Sequence, residues 1–155
     1  MSQRAKFEGW LKFELAEYAI SKGAKDVQIE PRISENGLSR ADLAFSYNGE
    51  RIVIKLKTPN TNYRMSGVKN RTRPITKNIH SIVEDIRKLK SHGVGGIIAF
   101  VLFPVRTDEN QWKVYLDRIK SMSDNIRDEN VCHSRNHVTL SDNESVEAIV
   151  VTIKM

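Results

Sequence analysis

Hydrophobic residues recur at helical spacing in two long segments of the chain. In Ser2–Lys22 they fall three or four positions apart, which predicts a helix that ends before Gly23. The segment from about Thr76 to Ser91 repeats this spacing and predicts a second amphipathic helix. The residues that define the two apolar faces are Phe7, Trp10, Leu11, Leu15 and Tyr18, and then Ile79, Ile82, Val83, Ile86 and Leu89.

Extended segments occupy much of the remaining chain. Alternating or continuous apolar runs predict strands, and a third helix is predicted over Trp112–Met122. The predicted strands are Asp26–Ile33, Arg40–Tyr47, Arg51–Thr58, Ile97–Val105 and Ser145–Lys154, with a weaker one near His137–Leu140. Helices placed between strands of a mixed central sheet indicate an α/β fold, in the order α-β-β-β-α-β followed by a C-terminal α-β pair.

The composition is that of one soluble domain spanning residues 1–155, with 39% hydrophobic and 28% charged residues. A single cysteine, Cys132, cannot form an internal disulfide, and Met1–Trp10 lacks the features of a secretory signal, so we expect a cytoplasmic location. The longest apolar stretch, Val94–Val105, has 12 residues. Because about 20 are needed to cross a bilayer, no membrane partner is expected.

Positive charge is concentrated in one part of the chain. The net charge is +6, yet the segment from Arg51 to Lys77 holds eight basic residues and no acidic one, which leaves −2 for the rest. Such a distribution is typical of a protein that binds a phosphate backbone. A solvated loop that is basic by chance is the alternative. The eight residues are Arg51, Lys55, Lys57, Arg64, Lys69, Arg71, Arg73 and Lys77.

The turn Asn48–Gly49 between two extended runs predicts a β-hairpin. A two-residue turn pairs Tyr47 with Glu50, and this register continues along both strands. Asp42 would then face Lys55. A carboxylate and lysines on one side of a central hairpin are unusual among residues that a helix is expected to cover.

Glu14 occupies an unexpected position on the first predicted helix. At about 100° per residue it falls in the middle of the apolar stripe, whereas Glu8 and Glu17 fall at its margins. A carboxylate in a packing face costs stability unless it has a partner. The possible partners are a metal ion or the lysines of the hairpin.

The hairpin sequences resemble those of the restriction-endonuclease-like PD-(D/E)XK nuclease superfamily. The resemblance covers roughly Phe7–Val105 and depends on the Arg40–Leu43 segment, the Asn-Gly turn and the Ile54–Thr58 segment. It implies a restriction-endonuclease-like core and a phosphodiesterase that uses Mg²⁺ or Mn²⁺ on DNA. The implied catalytic residues are Asp42 and Glu14 as metal ligands, position 55 as the second main ligand, and Lys57 as the group that contacts the attacking water or the phosphate.

The chain departs from this family at position 55, where Lys55 replaces the expected acidic residue. A lysine there removes a metal ligand and repels Mg²⁺, so the cofactor is expected to be weakened or lost. Three interpretations follow. The chain is a charge-reversed variant, natural or engineered, of an active nuclease, or it is a natural pseudo-nuclease that binds DNA without cutting it. In the third interpretation it is a nuclease in which another carboxylate, such as Glu30, replaces the lost ligand. An ordinary ion pair between Asp42 and Lys55 is the remaining alternative.

The functional prediction is a DNA-directed, metal-dependent endonuclease that Lys55 impairs. The alternative is a non-catalytic nucleic-acid-binding module, and a protein-interaction subunit is a third possibility. Family members often dimerise, so a homodimer is possible. The residues expected to bind the nucleic-acid backbone are Arg64, Lys69, Arg71, Arg73 and Lys77.

Overall fold

A computed structural model describes residues 4–33, 39–59, 61, 75–91, 93, 95–124, 126–139 and 145–155. Over these residues the chain forms a six-stranded mixed sheet with helices packed against it. The α/β prediction is therefore confirmed. The helices are α1 (Arg4–Ser21), α2 (Ile75–Ser91) and α3 (Gln111–Met122), and a short 3₁₀ turn covers Asp128–Asn130. The strands are β1 (Lys25–Ile29), β2 (Leu43–Tyr47), β3 (Glu50–Lys57), β4 (Gly96–Arg106), β5 (Val131–Thr139) and β6 (Ser145–Lys154).

The strands lie in the order β1-β2-β3-β4-β6-β5. Strands β3 and β4 are parallel, and the other neighbouring pairs are antiparallel. Helix α2 supplies the crossover that a parallel connection requires. The carboxyl ends of β3 and β4 therefore lie at the same edge of the sheet.

The main core lies between the sheet and helices α2 and α3. All five apolar residues predicted for the packing face of α2 are buried, as the periodicity indicates. They pack with the residues of β3, β4 and β6 that face the same side, among them Val53, Ile98, Phe100 and Val151. This face of the sheet also carries Lys55 and Lys57, because they alternate with Leu56 along β3 and pair with Ile98 and Phe100.

The prediction for the packing face of α1 is wrong for three of its five residues, and the other two, Leu11 and Leu15, are half-buried. Phe7, Trp10 and Tyr18 are 47%, 54% and 61% exposed, whereas Ala16 and Ala19 are buried against the sheet. Large apolar residues lie on more than one side of this helix, among them Phe13 and Ile20, so their spacing does not identify the side that packs on the sheet. The small alanines allow the backbone to approach the sheet, and the rings remain on the outside.

Strand β5 begins earlier than the sequence predicts. The weak strand expected near His137 extends back to Val131. Residues 132–137 are all exposed, because β5 pairs only with β6 and forms one edge of the sheet. An edge strand with polar side chains lacks the alternating burial that reveals a strand in a sequence.

No helix in the described part of the chain has the length and apolarity needed to span a bilayer.

Candidate functional site

The hairpin register is as predicted from Tyr47–Glu50 to Leu43–Ile54 and then changes. Leu43 pairs with Ile54, yet the Asp42 N–H also donates to the Ile54 carbonyl at 2.9 Å. Two consecutive residues opposite one partner form a β-bulge. The predicted placement of Asp42 opposite Lys55 is therefore wrong, since the bulge shifts Asp42 out of the regular register.

The Asp42 side chain is fixed by the neighbouring strand. Its Oδ2 atom accepts a hydrogen bond of 2.8 Å from the backbone N–H of Leu56. The carboxylate thus binds a β3 amide beyond the last residue pair of the β2–β3 ladder. Hydrogen bonds from backbone amides to a carboxylate are stronger than those between neutral groups, so the Asp42 side chain is held in place.

Lys12 of α1 is the cation that Asp42 binds. The Lys12 Nζ atom lies 2.8 Å from Glu30 Oε1 and 3.3 Å from Asp42 Oδ1. The side chains of Lys12 and Asp42 are only 13% and 14% exposed. Two carboxylates therefore converge on one ammonium group that is largely shielded from solvent.

The backbone brings Glu30 to this cluster. Glu30 follows the last residue of β1, has a φ of +53°, and donates its N–H to the Asp42 carbonyl at 3.1 Å. A positive φ is uncommon for a residue with a Cβ atom. This turn directs the chain from β1 toward the bulge. Glu30 was the sequence candidate for a replacement ligand, and it does lie beside Asp42.

The ion pairs change the pKa values of Lys12 and Glu30. Burial acts to lower the pKa of Lys12, but the hydrogen bond to Glu30 and the charge of Asp42 outweigh it and raise that pKa above 10.5. The hydrogen bond from Lys12, and then its charge, lower the pKa of Glu30 below 4.5. Both shifts favour the charged forms of Lys12 and Glu30 at neutral pH.

Replacing Lys12 by methionine is expected to lower the free energy of unfolding by about 1.5 kcal/mol at pH 7, because Asp42 loses a charged partner. The raised pKa of Lys12 gives stability that disappears as the pH rises through its folded-state value. The lowered pKa of Glu30 gives stability that disappears as the pH falls through its folded-state value. The loss in Lys12→Met should therefore be largest between about pH 5 and pH 10.

Urea unfolding of Lys12→Met and the wild type from about pH 3 to about pH 11 measures the effect, because the loss should decrease toward both ends of this range. Lys25→Met is the matched control, because Lys25 is exposed on β1. A loss in Lys12→Met that is independent of pH would contradict the assigned ion pairs.

Lys57 forms the second ion pair of the site. Its Nζ atom lies 3.0 Å from Asp85 Oδ2 on α2, and the Asp85 side chain is 7% exposed. This contact does not have hydrogen-bond geometry, since Asp85 Oδ2 accepts no hydrogen bond from the described residues. Attraction between the two charges is what holds this pair together.

Lys55 is half-buried on the same face of β3 as Lys57. It pairs with Ile98 in the parallel ladder, and no ion pair or hydrogen bond joins its side chain to another described residue. The alternative of an ordinary ion pair between Asp42 and Lys55 is therefore wrong, because Asp42 pairs with Lys12.

Glu14 does not lie in the packing face of α1, contrary to the prediction. It is exposed and points away from the side that Ala16 and Ala19 bury. Glu8 is the helix carboxylate closest to the end of β3, and its Oε2 atom accepts a 3.4 Å hydrogen bond from the Thr58 hydroxyl. At about 100° per residue, Glu8 falls at the margin of the predicted apolar stripe. Most of that stripe is exposed, and Glu8 lies nearer the side of α1 that packs on the sheet.

Sequence reasoning also missed Lys12, Glu30 as its partner, and Asp85. Lys12 lies one helical turn after Glu8, so both occupy the side of α1 that faces the sheet. This four-residue spacing is the sequence feature that could have placed Lys12 beside Glu8 on the side facing the sheet. Nothing in the local sequence indicates that Asp85 would meet Lys57, since the two are 28 positions apart.

The charges of this site do not fit the expected divalent cation. Among the described residues no three His, Cys, Asp or Glu side chains come close enough to hold a metal ion. Asp42 and Glu30 do converge, but the Lys12 ammonium lies between them. A divalent cation could bind there only if that ammonium moved away.

Most of the predicted nucleic-acid-binding residues lie outside the described part of the chain. These are Arg64, Lys69, Arg71 and Arg73. Lys77 is described, and its side chain is exposed near the start of α2.

Comparison with known proteins gives no relative. No family model, no curated protein and no solved structure matches the chain. Any function proposed for it therefore depends on the residues themselves.

Proposed function

We propose that the chain is a DNA-binding domain with the element order of the PD-(D/E)XK nucleases, in which ion pairs occupy the region of the metal site. The Lys12 ammonium, bound by both Asp42 and Glu30, is the observation that carries this proposal. It supplies positive charge where a catalytic ion would have to bind. Lys55 stands where the family has an acidic ligand. It adds a further positive charge on β3, the strand that also carries Lys57.

The strand arrangement supports the nuclease-like part of the proposal. Helix α1 precedes three antiparallel strands, and α2 then crosses to β4, which lies parallel to β3. This arrangement agrees with the α-β-β-β-α-β order that the resemblance implies. A restriction-endonuclease-like core is therefore part of what we propose.

The basic segment supports the DNA-binding part. It begins on β3, passes through positions 62–74 and ends at Lys77 on α2. Its charge exceeds the net charge of the whole chain. Neutralising DNA phosphates releases their counterions, which makes such a segment a source of affinity that does not depend on base sequence.

Affinity for duplex DNA should fall steeply with salt. If five basic residues contact phosphates, the logarithmic slope is about −4.5, and raising the salt from 50 to 200 mM weakens binding about 500-fold. Replacing EDTA by Mg²⁺ at constant ionic strength should change the affinity less than about twofold, since no metal takes part. Fluorescence anisotropy of a labelled duplex measures both effects.

Two double variants of equal charge provide the control. Arg71→Ala with Arg73→Ala should reduce the salt slope by about 2. Lys88→Ala with Arg118→Ala, at exposed helix positions, should leave it unchanged. Binding that is independent of salt would overturn the DNA-binding function.

Metal-dependent hydrolysis is a second candidate, because Asp42 and Glu30 each lie within 3.3 Å of the same Nζ atom. Supercoiled plasmid with Mg²⁺ or Mn²⁺ tests it in the wild type and in Lys55→Glu, with Lys88→Glu as a control of equal charge change. Cleavage by Lys55→Glu alone would establish a disabled nuclease. Cleavage by both would assign the metal site to Asp42 with Glu30. Cleavage by neither, when both bind DNA, leaves binding as the function.

A further inference from the structure

The two faces of the sheet are covered unequally. Helices α2 and α3 cover one face along its length, where they pack with residues such as Phe100 and Val151. Helix α1 lies over β1, β2 and β3 on the opposite face, since its Glu8 bonds to Thr58 whereas the preceding residue, Lys57, contacts α2. On this opposite face, no described helix packs broadly on β4, β6 or β5.

The uncovered part of the opposite face is largely apolar. Leu56 under α1 pairs with Ala99, so the residues that alternate from Ala99 along β4, and their partners on β6, share its face. Each of them is half-buried, whereas the residues between them are fully buried. An apolar sheet face is normally covered by a second layer. This open face consists of Ile97, Ala99, Val101, Ala148, Val150 and Thr152.

Helix α1 has an apolar surface on its side away from the sheet. Five large side chains there are 47–63% exposed, and two of their rings are in contact, with centroids 5.9 Å apart. At about 150–250 Å² for each fully exposed large side chain, they leave roughly 550 Å² in solvent. Patches of this size mark interaction surfaces. This outer face of α1 consists of Phe7, Trp10, Phe13, Tyr18 and Ile20.

The outer face of α1 and the open face have complementary charges. Glu14 and Glu17 are exposed among the aromatic residues of the outer face. The open face is bordered by the exposed Lys154, which pairs with Ile97, and the residues of β4, β5 and β6 that point to this side include no acidic one. A carboxylate that becomes covered by apolar groups needs a cation, and Lys154 of another copy can provide it.

A second copy of this chain fits both surfaces at once. Each copy has one helix over half of a sheet face and lacks a helix over the other half. A two-fold axis parallel to the sheets would place two α1 helices side by side between two sheets. Each helix would then contact its own sheet through Ala16 and Ala19, and the other sheet through its aromatic side. Such a contact is formed twice, as in other two-fold symmetric dimers.

The area available is sufficient for a dimer of moderate affinity. The outer face of α1 together with the open face approaches the roughly 800 Å² that each partner contributes to a stable interface. We infer that the chain forms a two-fold symmetric dimer in which the outer face of α1 in each copy packs on the open face of the other. A dissociation constant of about 10 µM is expected, so the chain is mostly monomeric at about 1 µM or below.

Sedimentation velocity from about 0.5 to 100 µM protein tests the dimer. Trp10→Asp on the outer face and Val150→Asp on the open face should each raise the dissociation constant at least about 30-fold, because each places a charge in the centre of the interface. Val114→Asp is the matched control. Val114 is 62% exposed on α3, outside both surfaces, so this variant should dimerise like the wild type.

Charge reversal provides a second test, at exposed positions where folding is not affected. Lys154→Glu should weaken the dimer about fivefold, and Glu14→Lys combined with Lys154→Glu should restore most of the affinity. This pair also tests the open face if circular dichroism shows that Val150→Asp fails to fold.

Three results would overturn the proposal. The first is a wild type that remains monomeric at about 100 µM. The second is a dimer that Trp10→Asp and Val150→Asp both preserve. The third is a dimer that Trp10→Asp abolishes but that folded Val150→Asp and Lys154→Glu both preserve, since the α1 helices would then pair without the sheet.

Discussion

Replacing Lys57 by methionine is expected to lower the free energy of unfolding by about 3 kcal/mol, because it leaves the Asp85 carboxylate without a cation. Asp85 is 7% exposed, so solvent compensates for little of the lost charge. Removing one partner of a buried ion pair typically costs about 3–5 kcal/mol. We expect the lower end of this range, since the Lys57 side chain is 29% exposed.

Urea unfolding at pH 7 measures this loss, and two further variants identify its cause. Lys55→Met changes a lysine on the same face of the same strand and should cost less than about 0.5 kcal/mol, because no described residue pairs with Lys55. Lys57→Met combined with Asp85→Leu should recover most of the stability, since both charges are then absent. Equal losses in the two lysine variants would contradict the Lys57–Asp85 pair.

Replacing Phe100 by alanine is expected to cost about 4 kcal/mol, within the range for large-to-small changes in a core. Phe100 is 1% exposed and pairs with Lys57 in the centre of the sheet, where α2 and α3 cover it. The cavity left behind cannot close without moving β4 and its neighbours. The total free energy of unfolding of a domain of this size is about 5–15 kcal/mol, so the variant should be only marginally stable at 37 °C.

Phe13→Ala is the matched control for Phe100→Ala. Phe13 is 63% exposed on α1, so its removal should change the free energy of unfolding by less than about 0.5 kcal/mol. Urea midpoints of the two variants provide the comparison. Similar losses in both would mean that the outer face of α1 is covered in solution, and a dependence of stability on protein concentration would identify a second copy as the cover.

The parts of the fold that the sequence predicts are those in which local chemistry is sufficient. The apolar spacing of α2 identifies its buried face, because only one side of that helix is apolar. Asn48 and Gly49 both have positive φ, as a tight hairpin turn requires, and they determine the register as far as Leu43–Ile54.

The candidate site was harder to predict because each of its contacts depends on a tertiary detail. The bulge moves Asp42 by one position, and no residue type in the hairpin signals it. The orientation of α1 selects Lys12 and Glu8 over Glu14, yet apolar residues all round that helix conceal its orientation. Asp85 meets Lys57 only because α2 crosses the sheet at that point.

Helix α1 approaches the sheet through small alanines. This packing links the charge of the site to local opening of the protein, because α1 carries Lys12. Helix α1 buries Ala16 and Ala19 fully and Leu11 and Leu15 in part, which is less apolar surface than α2 buries. We therefore expect its detachment to cost less than unfolding the layer that α2 and α3 form. Lys12 leaves with the helix. Each opening therefore removes the one cation that Asp42 and Glu30 share and leaves two neighbouring carboxylates without it, and amide hydrogen exchange along α1 reports how often this occurs.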